Sequence, residues 1–179
     1  MRELSLHALD LIENCIRAGA TEVEVEITEE PADDTLSLVI EDNGPGLPDG
    51  FDEAAIPFYT TKSGKKVGLG LSLFRAAAGD AGGSMTLSRS RLGGLKVSGT
   101  MKTSHVDRKP MGDMAGTLWA VACTRPDLGL RFIARSGAKK RSASLAETRG
   151  EPGAGGLGAI AAADRFAAGV RQCLKILNV

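Results

Sequence analysis

Three short stretches bring together residue types able to hold a charged, flat ligand. In "HALDLIENCIRA" Asp10, Asn14 and Arg17 fall within a narrow fan when successive helical residues are stepped by about 100 degrees, and His7 lies at its edge. A carboxylate can take a proton from water. An amide oxygen suits a hard cation such as Mg²⁺, and a guanidinium holds phosphate oxygens. In "DNGPG", residues 42–46, Asp42 can accept a hydrogen bond from an exocyclic amine, while Gly44 and Gly46 let the backbone approach a flat ring. In "VGLGLSLF" Gly68 and Gly70 open a helical pattern, and amides at a helix start favour phosphate. Each stretch taken alone also has a plain reading: a solvated helix face, a tight turn, or a helix start without a ligand.

The elements around these residues follow from periodicity. Leu4, Ala8, Leu11, Ile12, Cys15 and Ile16 make one apolar stripe, so residues 3–18 are expected as a helix that Gly19 ends. "TEVEVEI" alternates strictly and reads as a half-buried strand, and "TLSLVIED" as a second strand. "NGPGLPDG" cannot be regular structure. Residues 51–56 read as a short helix and "FYTTKSGKKVG" as a loop. Residues 69–81 read as a helix, followed by strands "SMTLSRS" and "LKVSGTMKTS" joined at Gly93–Gly94. This order predicts an α/β sandwich, with helices on one face of a mixed β-sheet, over residues 1–104. Residues 105–179 are expected as a small C-terminal α+β appendage. In it, "MGDMAGTLWAVAC" is a helix, "LGLRFIARS" a strand, and 136–158 a flexible segment, part of which could pair as a hairpin. A final amphipathic helix over 159–177 carries Ile160, Phe166, Val170, Leu174 and Leu177 on one side.

Composition removes several function classes. Lys plus Arg and Asp plus Glu both number 22, so no bulk electrostatic attraction to nucleic acid or membrane is expected. Three scattered cysteines without a C-x-x-C pair, and two distant histidines, suggest neither a zinc site nor a disulfide framework. "MRELSLHALD" lacks the apolar region of a secretory signal. A cytoplasmic protein is expected. A P-loop string, G-x-x-x-x-G-K-S/T, is absent. "GLGLSLF" lacks the third glycine and the preceding strand of a dinucleotide fingerprint.

In this order and spacing the three stretches resemble the N box, G1 box and G2 box of the GHKL ATPases, which include gyrase, MutL and the histidine kinases. "PFYTTK" followed by "GLGLSLFRAAAGDAGGSM" is similar to the kinase version of the F box, lid and G2 box. "LIENCIRAGATEVEVEI" is closer to MutL. The resemblance covers residues 3 to about 103 and extends to small stand-alone kinase-like ATP-binding proteins. It implies a Bergerat-type two-layer sandwich with ATP and Mg²⁺ as ligands. It further implies Asn14 on the metal, Asp10 as general base, Arg17 on phosphate and Asp42 on adenine N6, with Gly44 and Gly46 shaping the base pocket. Thr61 and Lys62 would lie near a short lid, "SGKKV". Gly68 and Gly70 would cradle phosphates, with Leu69 packed behind them.

The sequence departs from the family pattern in three places. Asp10 stands where Glu is usual. Leu95, in "GGL", stands where kinases carry a threonine near adenine. The first helix begins at the start of this sequence, so neither a phosphoacceptor helix pair nor a sensor domain is expected upstream. Three functions share such a pocket: a kinase acting in trans on a partner's histidine or serine, an ATP-hydrolysing switch, and a non-catalytic nucleotide-binding module. The partner or phosphoacceptor is a protein of unknown identity, no nucleic acid or membrane partner is expected, and homodimerisation stays open. "HVDRKPM", residues 105–111, matches a phosphoacceptor box in type and spacing at His105, Arg108, Pro110 and Met111. The acid is displaced by one, to Asp107, the segment follows the ATPase domain rather than preceding it, and the plain reading is a connector in which Pro110 opens the next helix.

Overall fold

The computed structural model describes residues 2–46, 69–149 and 155–178. Helix α1 (Leu4–Arg17) is followed by β1 (Glu22–Glu30) and β2 (Thr35–Asp42). Next come α2 (Leu69–Asp80), β3 (Ser84–Arg89), β4 (Leu95–Lys102), α3 (Met114–Thr124), β5 (Gly129–Ser136), β6 (Lys139–Ser144), α4 (Leu145–Thr148) and α5 (Gly155–Leu174). Gly19, at a φ of 92°, ends the first helical segment as its position predicts. The expected short helix over 51–56 and the lid loop lie outside the described residues. Among the described residues no helix is long and apolar enough to cross a membrane.

The strands form one six-stranded sheet in the order β3-β4-β2-β1-β5-β6. All neighbours are antiparallel except β1 and β5, which run parallel. The register puts Val25 opposite Ile40 on one side and Phe132 on the other, and Ile40 opposite Val97. One face therefore carries Val23, Val25, Ile27, Leu36, Leu38, Ile40, Val97, Leu130 and Phe132, all buried in the core. Helices α1, α2, α4 and α5 lie against the sheet, and α3 bridges α1 and α5. Asp42 is in phase with Leu36, Leu38 and Ile40, so the strand's period of two turns it inward at the strand's end.

The opposite face is polar and laced with ion pairs. Glu24 and Glu41 stand directly opposite each other, a like-charge arrangement that is unfavourable when bare. Arg91 reaches both carboxylates and Lys96 Nζ lies 3.5 Å from Glu41. Arg135 Nε donates to Glu26 at 2.7 Å.

The C-terminal residues differ from expectation. β5 and β6 extend the same sheet rather than forming a separate appendage, because β5 pairs along the full length of β1. The segment 136–158, expected to be flexible, contains β6, α4 and the start of α5. β6 pairs with β5 across a turn at Gly137, whose φ of 53° suits glycine. Of the predicted apolar side of the last helix, Phe166 and Val170 are buried and Leu174 and Leu177 pack against the core, while Ile160 is 47% exposed. Pro110 does not open α3. That helix starts at Met114, where Asp113 Oδ1 accepts from Gly116 N at 2.8 Å.

Candidate functional site

The polar face of α1 meets the start of α2. A Cβ built on Gly70 would overlap the Asp10 carboxylate and come within 3.4 Å of Asn14 Nδ2. Only glycine lets the first turn of α2 approach that carboxylate so closely. Asp10 and Asn14 are half-buried and Arg17 is exposed. The Arg17 guanidinium donates through Nη2 to Asn14 Oδ1, and its Nη1 lies 3.6 Å from Glu13 Oε2.

The position of α2 is fixed further along its length. Phe74 is fully buried with the far end of its ring against β4, where a Cβ at Gly99 would collide with it. The ring also meets His7, centroid to centroid 5.6 Å. The structure thus turns His7, expected at the edge of the polar fan, into the α1–α2 contact at 1% exposure. Among the described residues neither of its ring nitrogens has a hydrogen-bond partner. Burial above all, then the positive charges of the chain's N-terminus and Lys109, push its pKa down to about 4.

A second cluster surrounds Asp42, which is 3% exposed. Its Oδ1 accepts from Gly44 N at 2.7 Å and from Leu95 N at 3.3 Å, while its backbone carbonyl accepts from Gly94 N at 3.0 Å. A Cβ at Gly94 would overlap Asp42 Oδ1 and crowd Gly44 N, and Gly46, at a φ of 72°, faces the Gly94 backbone. Asn43 ties this turn to the start of β1, its Oδ1 accepting from the amides of Thr21 and Glu22 at 2.9 Å each. Cys15, the residue after Asn14, donates to Leu11 O at 3.2 Å. Burial, then the neighbouring Asp42 carboxylate, push its thiol pKa far up, so it stays protonated. Cys15 therefore joins the two clusters.

The structure brings Asp10, Asn14, Arg17 and Gly70 together, and Asp42 with Gly44 and Gly46. Leu69 departs from expectation: it is 61% exposed instead of packed behind the glycines, because it occupies the outer side of the first turn of α2. Thr61, Lys62 and Gly68 lie outside the described residues. Gly94 joins the Asp42 cluster, although only its neighbour Leu95 was singled out in the sequence. The Gly93–Gly94 pair was visible as a hairpin joint, but its approach to Asp42 depends on a contact between distant segments. At Leu95 the backbone amide, rather than a side-chain hydroxyl, meets the carboxylate. His105 sits in a turn, with Nδ1 accepting from Asp107 N at 3.2 Å. The following Pro110 and Met111 carbonyls accept from Leu4 N and Ser5 N, so this connector caps the start of α1.

Residues 2–105 match the family described as histidine kinase-, DNA gyrase B-, and HSP90-like ATPase. Two solved structures are similar. The ATP-binding domain of PrrB from Mycobacterium tuberculosis superposes with a TM-score of 0.43 at 26% identity, over 54% of this chain and 64% of that one. The N-terminal domain of a DNA repair protein superposes with a TM-score of 0.46 at 16% identity, over 88% of this chain and 59% of that one. The chain spans less than two thirds of either structure. No protein of curated function matches it. With a family match over more than half its length, resting on the same segments that build the two clusters, the chain belongs to the histidine kinase-, DNA gyrase B- and HSP90-like ATPase family.

Proposed function

We propose that this protein binds Mg²⁺-ATP and transfers its terminal phosphoryl group to a partner protein, as a regulatory kinase of the histidine or serine type. The observation that carries the reading is the seat of Gly70 on Asp10 and Asn14, which sets a helix start against a carboxylate and a side-chain amide. Asp42, in its glycine-lined turn, would accept from the adenine amine, and Arg17 would hold phosphate.

The donor set fits the metal. Asn14 offers a hard oxygen, and Mg²⁺ is usually held by one or two protein groups together with substrate phosphates. Among the described residues no cluster of three or more His, Cys, Asp or Glu could hold an ion unaided, and a phosphate-bound Mg²⁺ needs none. The bound metal would neutralise phosphate charge. Three free cysteines suit a reducing compartment, and we assign the protein to the cytoplasm.

A second reading, an ATP-hydrolysing switch, is favoured by Asp10, whose carboxylate lies against Gly70 where a general base would stand. Two measurements test these readings. Calorimetry should show ATP binding that requires Mg²⁺ and is lost in a folded Asn14→Ala variant; unchanged affinity would remove Asn14 from the site. Incubation with γ-labelled ATP and a cell extract then separates the functions, since label on a partner means a kinase and free phosphate alone means the switch.

A further inference from the structure

Arg17 occupies the oxygen that the Mg²⁺-ATP reading assigns to the metal, because its Nη2 donates to Asn14 Oδ1. A divalent cation on that oxygen would stand a few ångström from the guanidinium, and the two positive centres repel. Metal binding therefore requires Arg17 to move. The other groups around Arg17 determine where it goes. Its Nη1 already lies 3.6 Å from Glu13 Oε2, one turn earlier on α1. Glu13 and Arg17 both line an open groove of about 430 Å³ between α1 and α3, along with Leu9, Ile16, Val121 and Arg125. The far wall, α3, begins beyond the segment that matches the ATPase family, so this berth is built partly by the C-terminal region.

We propose that Glu13 is a positioning residue for the metal: with the α1–α3 groove it forms a second berth that draws the Arg17 guanidinium off Asn14. The inference rests on the Mg²⁺-ATP reading and adds a residue and a surface to it. Arg125 lines the same groove and opposes the move by its charge. An exposed i,i+4 ion pair with no such role would contribute a little helix stability and leave the metal requirement untouched. If Arg17 passed straight from Asn14 to phosphate, Glu13 would again be dispensable.

The test titrates Mg²⁺ at a fixed concentration of a non-hydrolysable imido analogue of ATP and follows nucleotide binding by calorimetry. Glu13→Gln should raise the half-saturating Mg²⁺ concentration roughly threefold, the scale of a surface ion pair, without changing the melting temperature beyond what that pair supplies. Arg125→Gln should lower it. In an Arg17→Gln background, Glu13→Gln should have no further effect. The proposal is overturned if Glu13→Gln causes no rise, or if the rise persists without Arg17, which would make it a through-space effect of charge. An Arg125→Gln variant that does not lower the requirement also overturns it. Wild-type protein that binds the analogue equally well in Mg²⁺ and in EDTA would instead sink the Mg²⁺-ATP reading itself, and this inference with it. Failure of the Glu13 assignment alone leaves the wild type dependent on Mg²⁺.

Discussion

Asp42 is held by backbone, with Gly44 N and Leu95 N both donating to one oxygen. Replacing it with an amide should disturb ligand recognition more than the fold. Asp42→Asn is expected to weaken ATP binding by about 1–3 kcal/mol, the range for a hydrogen bond to a charged group. It should also narrow the preference for ATP over GTP, because guanine presents a carbonyl where adenine has its amine. Competition calorimetry with both nucleotides measures this, and an undiminished preference would show that Asp42 does not read the base. Asp10 acts at the other end of the site. Asp10→Asn should reduce ATP hydrolysis by roughly 10²–10⁴-fold, the usual contribution of a general base, with ATP affinity little changed. A phosphate-release assay checks it, and full hydrolysis in the variant would assign proton removal elsewhere. The positions of both residues were legible in the sequence because each stands at a fixed phase of its element, while the roles proposed for them follow from the family resemblance. The close seat of Gly94 was not legible, since it is a contact with a carboxylate 52 positions away.

At the scale of elements, the seam between α1 and α2 carries a pH dependence. His7 is buried against Phe74 and its pKa is depressed to about 4 from 6.5. The unfolded chain therefore takes up a proton below about pH 6.5 while the folded protein resists until about pH 4. Stability is unaffected by this group above pH 6.5 and falls as pH drops through that window, by about 3 kcal/mol in all. His7→Leu should flatten this acid limb in urea unfolding curves between pH 7 and 4; an unaltered slope would mean that His7 does not titrate on unfolding. The strength of the sequence signal differed between elements for physical reasons. α1 and the first two strands repeat apolar residues with a clear period, and their positions follow from it. β6, "KKRSAS", buries only Ala143 and exposes its first four residues, so an edge strand there looks like a polar loop. The exposure of Ile160 in α5 was hidden in the same way, because alanines at 162, 163 and 167 help fill the buried face in place of larger side chains.

Over the whole molecule, the family match ends at residue 105 but the sheet does not. Removing residues 106–179 would strip Leu130, Phe132, Phe166 and Val170, all 0% exposed, from the core. At about 1.5–3 kcal/mol for each buried side chain, the loss rivals the ~5–15 kcal/mol that stabilises a typical domain. The truncated chain is expected to show no cooperative thermal transition by circular dichroism. A sharp melt would mean that residues 1–105 fold unaided. The parallel pairing of Glu22 with Gly129, continuing to Glu29 with Ser136, also sets a schedule for synthesis. At about 5–20 residues per second, β1 leaves the ribosome roughly 5–20 s before its partner β5 exists. For that interval one side of β1 is an open template for any passing strand. The glutamates at 22, 24 and 26, which alternate along it, discourage such pairing by their charge. They act as guards of a nascent chain until Arg131 and Arg135 arrive opposite Glu24 and Thr28.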